Sequence, residues 1–378
     1  MKSKLILTFL FMFMAIPAAG VAEGTESLYT VTDSAGNALF TLSGELHEGD
    51  EYIAKDNTLY QITAVARNQA NAEAVGQEPM PDVSWLDAGS AQPVFADISI
   101  PAGSKNTDAK KLIAMYVTHS DESYIPTDGT ESINGQGGIY DVARKFRNEL
   151  QALGVDVILD ESTHLPHDSG AYRRSRQTAE RLLQKRPDAI IDIHRDGIPD
   201  QNEYTCTING ENASQVRLLV GRSNQNSEVN REFAKQIKAI ADKQYPGLIK
   251  DIFIGKGNYN QDLSPNAILL EFGTHTLSKE RAIESTQLMA DVVSTALYGP
   301  QTSSAKSEKT KASQPAAQAK ENKGAAKGIL LLLAAVVIGI LLFAFLQTGS
   351  KSAMKTKVTR GLSEMTGGFF GKKPEQKK

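Results

Sequence analysis

Apolar and polar positions change period along this chain, and the changes divide it. Between residues 27 and 75 the runs Tyr29-Thr30-Val31, Ala38-Leu39-Phe40-Thr41-Leu42, Glu51-Tyr52-Ile53-Ala54 and Tyr60-Gln61-Ile62-Thr63-Ala64-Val65 alternate with period two. They are broken at Ser34-Ala35-Gly36-Asn37, Glu48-Gly49-Asp50 and Lys55-Asp56-Asn57. Such alternation with Gly, Asn and Asp turns predicts a small antiparallel β module over residues 23–75. Residues 76–106 carry four prolines among Gly, Ser and Asp and read as a linker. From Lys111 onward, short apolar runs alternate with segments of helical period. Strands are expected near 112–118, 155–160, 189–194, 215–221 and 266–273, and helices near 138–153, 173–186, 228–243 and 278–297. In the first helix Ile139, Val142, Ala143, Phe146, Leu150 and Leu153 recur at helical spacing, and Gly154 supplies a stop. Strand and helix in alternation predict a three-layer α/β domain over 107–300.

The two ends read differently. Met1-Lys2-Ser3-Lys4, an apolar run from Leu5 to Ala19 and small residues through Ala22 form the pattern of a signal peptide, 1–22. Residues 301–327, rich in Ala, Ser, Lys and Gln without apolar period, read as a flexible tether. Gly328 to Leu346 is an uncharged stretch of 19 residues, long enough for a transmembrane helix at about 1.5 Å per residue. The tail, 347–378, holds eight cations against two acids, so the positive-inside rule places it in the cytoplasm and everything before the span outside. The chain is expected in the cell membrane as a single-pass protein with its folded part extracytoplasmic.

With −3 for the whole chain, +6 for the tail and +2 for the leader, residues 23–347 carry −11. An acidic exported part has no general electrostatic reason to bind nucleic acid. Its single cysteine, Cys206, can form no internal disulfide, so the fold relies on its core.

Three of the expected strands end in groups that bind metals. Leu112 to Val117 runs into Thr118-His119-Ser120-Asp121-Glu122, Ala189 to Ile193 into His194-Arg195-Asp196, and Ile268 to Leu270 into Glu271. Sites in α/β sheets form at such strand ends. Two neutral imidazoles and one carboxylate make a hydrolytic zinc site with an open position, and His119, Glu122 and His194 supply that set. Asp121 stands as an alternative carboxylate and Glu131 as a more remote one. Glu271, if it is not a ligand, can take a proton from water and pass it to a leaving amine. Asp192 shares one side of its strand with His194 and could fix that ring's tautomer.

Residues 112–297 resemble the stage II sporulation protein P family of zinc-dependent N-acetylmuramoyl-L-alanine amidases. The resemblance rests on Thr118-His119-x-x-Glu122-Ser123-Tyr124, Ala171-Tyr172-Arg173-Arg174-Ser175-Arg176, Ile191-Asp192-Ile193-His194-Arg195-Asp196, Tyr245-Pro246-Gly247-Leu248, Tyr259-Asn260-Gln261-Asp262-Leu263 and Leu270-Glu271-Phe272-Gly273. It implies an amidase-like zinc hydrolase domain, Zn2+ on His119, His194 and Glu122, and Glu271 as the catalytic carboxylate. Peptidoglycan would be the substrate, cut between N-acetylmuramic acid and the L-Ala of the stem peptide, with stage II sporulation proteins D and M as partners in engulfment. Arg176, Asn260 and Gln261 are the expected substrate-binding residues. Two departures stand out. Val117 occupies a position where the family carries a first histidine, and the tether is C-terminal where the family has an N-terminal anchor. Alternatives are a zinc-dependent wall endopeptidase or carboxypeptidase, and a catalytically silent wall-binding scaffold.

Overall fold

A computed structural model describes residues 27–87 and 110–300, all within one compact unit. The expected signal peptide, most of the linker, the tether, the span and the basic tail lie outside the described residues, among which no helix is long and apolar enough to cross a membrane.

In chain order the elements are β1 (Leu28–Thr32), β2 (Ala38–Ser43), β3 (Glu51–Ile53), β4 (Thr58–Ala66), β5 (Gln69–Gln77), β6 (Leu112–Tyr116), α1 (Ile125–Asp128), α2 (Ile139–Ala152), β7 (Asp156–Leu159), α3 (Ala171–Leu183) and β8 (Ala189–Asp196). There follow β9 (Thr205–Ile208), β10 (Glu211–Ser214), β11 (Val216–Gly221), α4 (Ser227–Gln244), β12 (Ile249–Gly255), β13 (Ala267–Thr274) and α5 (Lys279–Tyr298). The predicted elements from residue 112 onward all form, with ends moved by a few residues. Gly154 adopts the left-handed conformation that ends α2 (φ 79°).

β1 to β8 and β11 to β13 form one mixed sheet in the order β2-β1-β5-β4-β3-β12-β11-β13-β8-β6-β7. β13, β8, β6 and β7 run parallel, while β11 is antiparallel to β13. On one face, Ile113, Met115, Ile191, Ile193, Leu218, Leu270 and Phe272 are buried with Phe146 of α2, Phe233 of α4 and Met289 of α5. A fully buried aromatic such as Phe146 holds this face strongly, since truncation to alanine costs about 3–5 kcal/mol.

The opposite face has two covers. Ala179 and Leu182 of α3 pack on Ala114, Tyr116, Ile190 and Ala267. Next to them, Val31, Phe40, Leu42, Tyr52 and Ile62 pack on Leu219, Phe253 and Leu269. The three-layer expectation is therefore modified, because the leading β module completes the layer that α3 begins. The module also departs from the purely antiparallel pattern expected, since β1 lies parallel to β5, and it joins the main sheet through Tyr52 opposite Phe253 and Ile53 opposite Ile252.

Polar contacts reinforce that junction. Arg217, 1% exposed, donates to Asp251 (2.8 and 3.1 Å), to Asp196 (2.8 Å) and to the carbonyl of Thr41 in β2 (3.3 Å). Arg231 of α4 pairs with Glu51 and Glu78, Lys235 pairs with Glu78, and the buried Lys238 donates to the carbonyl of Lys55 and to Asn57.

Candidate metal centre

Where β6 and β8 leave the sheet side by side, one buried carboxylate fastens them together. Asp192 accepts from the Thr118 amide (2.9 Å) and hydroxyl (2.6 Å), and the Thr118 hydroxyl oxygen also lies 2.9 Å from that of Ser175 in α3. This fixes the backbone that delivers His119. The loop carrying Glu122 folds back under α2, whose first amide, Ile139, donates to the Glu122 carbonyl (3.0 Å). Gly137 is required there, because a Cβ on it would lie 2.3 Å from that carbonyl oxygen.

His119, Glu122 and His194 converge, with one possible ligand atom from each all within 4.8 Å of one another. His119 Nδ1 lies 3.0 Å and His194 Nδ1 3.2 Å from Glu122 Oε1, while Glu122 Oε2 accepts from the Arg195 amide at 2.9 Å. The Arg195 guanidinium donates to the carbonyls of Ser123 (3.2 Å) and Glu131 (2.9 Å), so it clamps the same loop. The far nitrogen of His194, Nε2, sits 3.1 Å from Asp192 Oδ1, at ion-pair distance though off a hydrogen-bond axis.

The charges respond to this packing. Burial pushes the Glu122 carboxyl up, but the imidazoles of His194 and His119 outweigh it and hold the group well below the usual carboxylate range. For His194 burial disfavours charge, yet Asp192 and Glu122 raise its affinity for a proton well above normal. His119 goes the other way, lowered mainly by burial. The cluster therefore favours one positive charge at its centre, where a divalent cation can replace the proton. Two imidazoles and a buried carboxylate fit zinc.

Glu271 is the ladder partner of His194 across β13 and β8, so the two side chains leave the same face. Its Oε2 is buried without a hydrogen-bond partner. Burial first, and the carboxylates of Asp196 and Glu122 next, raise its pKa well above the normal value against the opposing His194 and Arg217. A buried carboxyl poised to hold a proton thus adjoins the cation site.

The other expected residues separate. Asp121 turns to His167 (3.1 Å) and Ser132 (2.7 Å), and Glu131 is 64% exposed, so neither joins the cluster. Arg176 forms a two-pronged pair with Asp262 (2.8 and 2.8 Å). Asn260 donates to the Tyr172 carbonyl (3.1 Å) and to Ser175 (3.0 Å), and Gln261 bridges the Gly221 amide (2.8 Å) and the Leu219 carbonyl (2.9 Å). All three brace the loop after β12 with polar groups. Val117 is fully buried in the core that α2 covers, so the departure there removes no donor from the cluster.

Two further rings approach the cluster. His167 stacks on His119 at 3.9 Å, and Tyr172 meets His119 edge-on at 5.5 Å and lies nearly parallel to His194 at 6.3 Å. Tyr172 lies in the first turn of α3, just before Arg173 and Arg174.

Residues 39–294 match the family model described as Stage II sporulation protein P. Stage II sporulation protein P of Bacillus subtilis (strain 168) is 29% identical over 226 residues, 55% of this chain and 56% of that protein, so the chain spans about half the length of this curated relative. Among solved structures, an N-acetylmuramoyl-L-alanine amidase from Clostridium difficile 630 is similar at 14% identity, covering 50% of this chain and 94% of that one, with a TM-score of 0.34. The amidase CwlD from Clostridioides difficile, solved with the GerS lipoprotein, gives 14% identity, 50% and 96% coverage and a TM-score of 0.33. Superpositions this loose carry no argument. The family match, spanning well over half of the 378 residues, does: the chain belongs to the Stage II sporulation protein P family.

Proposed function

We propose that this protein is a zinc-dependent peptidoglycan hydrolase of sporulation that cleaves the amide between N-acetylmuramic acid and L-Ala. The observation that carries the reading is the convergence of His119, Glu122 and His194, with Glu271 beside His194 on the neighbouring strand. His119, His194 and Glu122 would hold the ion, and zinc bound there supplies Lewis acidity to a water and to the scissile carbonyl. Asp192 orients His194 from its far nitrogen, and the Arg195 amide keeps Glu122 turned inward. Glu271 accepts the proton from the attacking water and returns it to the departing alanine nitrogen. The hydrophobic N-terminal stretch, the uncharged apolar sequence at 328–346 and the basic C-terminal residues support an extracytoplasmic, membrane-tethered placement, and the family resemblance supports stage II sporulation proteins D and M as partners.

Digestion of purified sacculi, with and without chelator, followed by the masses of the products tests the reading. Release of peptides with a free L-Ala amine is expected, and it should stop on chelation. Cuts confined to peptide–peptide bonds would establish an endopeptidase or carboxypeptidase instead, and zinc-loaded protein that cuts neither bond would be a scaffold.

A further inference from the structure

Tyr259 and Asn260 both adopt left-handed backbone conformations (φ 53° and 57°). For an aromatic residue that is costly, and such strain persists only where the surroundings enforce it. Here they do so through the bonds of Asn260 and Gln261 already described and the Arg176–Asp262 pair. The room for the ring is built as well. A Cβ on Gly257 would lie 2.4 Å from the Tyr259 ring, one on Gly255 3.0 Å from its hydroxyl, and one on Gly221 2.4 Å from the Gly257 carbonyl. Three close glycine contacts and a strained backbone thus fix one half-buried ring. That ring meets Tyr172 edge-on at 5.3 Å, and Tyr172 in turn contacts both metal-site imidazoles.

We infer that Tyr172 and Tyr259 form an aromatic platform beside the metal centre on which the pyranose ring of the muramoyl group stacks, with Tyr259 as the specificity-determining residue. The inference rests on the peptidoglycan reading above. The chemistry of the two rings favours the sugar over the stem peptide as occupant, because an aromatic face offers nothing with which to pair the stem peptide's carboxylates. The muramoyl side is neutral once its lactyl carboxyl is tied up in the amide, and it offers C–H groups to an aromatic face.

The test compares wild type with Tyr259→Asn, which accepts the left-handed backbone but removes the ring. Thermal unfolding shows that the variant is folded. Calorimetric titration of chelated, metal-free protein with a disaccharide-peptide and with the matching free stem peptide then gives two affinities. The disaccharide-peptide should bind about tenfold more weakly to Tyr259→Asn, with most of the loss regained in Tyr259→Phe and the free peptide little affected. Equal losses for both ligands would overturn the sugar assignment, and no loss for either would leave Tyr259 a purely structural residue. Hydrolysis of sacculi is followed in parallel. A wild type that binds the disaccharide-peptide yet releases nothing sinks the hydrolase reading alone, whereas full hydrolysis and binding by Tyr259→Asn sinks the platform alone.

Discussion

Each histidine of the cluster faces Glu122 with one nitrogen, so deleting either ring should empty the site rather than weaken it. Substituting His119 or His194 by alanine is expected to reduce retained zinc from about one per chain to a trace, read by elemental analysis after gel filtration. A variant that keeps its zinc would remove that residue from the ligand set. Glu271 predicts the converse. Because it lies outside the three-residue cluster, Glu271→Gln should hold zinc normally and lose roughly 10²- to 10⁴-fold in rate, the usual contribution of a positioned acid–base group. These four residues were legible in the sequence because His119 and Glu122 follow an apolar strand and His194 and Glu271 each interrupt an apolar run. Asn260, Gln261 and Arg176 are less legible for a definite reason: polar residues are equally suited to gripping a ligand and to bracing a strained backbone, and the sequence does not name their partners. Tyr172 and Tyr259 stood out only as members of longer motifs, because a ring's role depends on what it faces.

At the level of elements, periodicity recovered the strands and helices that surround the site but missed β12. Its sequence, Ile249-Lys250-Asp251-Ile252-Phe253, is interrupted by two charges in what became a buried strand. Both charges are paired: Asp251 with Arg217 and with Lys250, and Lys250 also with Glu203. Buried, mutually satisfied ions are invisible to a hydropathy pattern. Breaking such a pair strands a charge in the core, so Arg217→Ala should lower unfolding stability by about 3–5 kcal/mol in denaturant titration. A change under about 1 kcal/mol would mean that water reaches the site and that the network is ornamental.

For the whole molecule, the surprise is where the first five strands go. Their pairing with a strand some two hundred residues downstream leaves no local trace, so a separate module was the natural expectation. Residues 110–300 expressed alone would expose Leu219, Phe253 and Leu269, and are expected to bind hydrophobic dyes and aggregate; a monodisperse, zinc-binding fragment would contradict this. The junction also carries a pH signature. Asp251 is buried and Glu78 half-buried, yet their cationic neighbours hold both below normal carboxylate values. The stability they contribute is fully present above the unfolded values near pH 4 to 4.5 and is lost as pH falls through the lower folded values, which a stability series from pH 6 to pH 2 would register. Arg217→Met should flatten the part due to Asp251.

Glu271 reaches the chemistry from the middle of a strand, and this exposes the protein to a particular kind of genetic damage. Along β13 its neighbours Leu270 and Phe272 belong to the core on the far side. A single codon lost or gained between Ala267 and Leu270 would swap these roles, driving a carboxylate among the helices and a greasy side chain towards the cation. Loops in this chain can drift in length over generations; that stretch of four codons cannot.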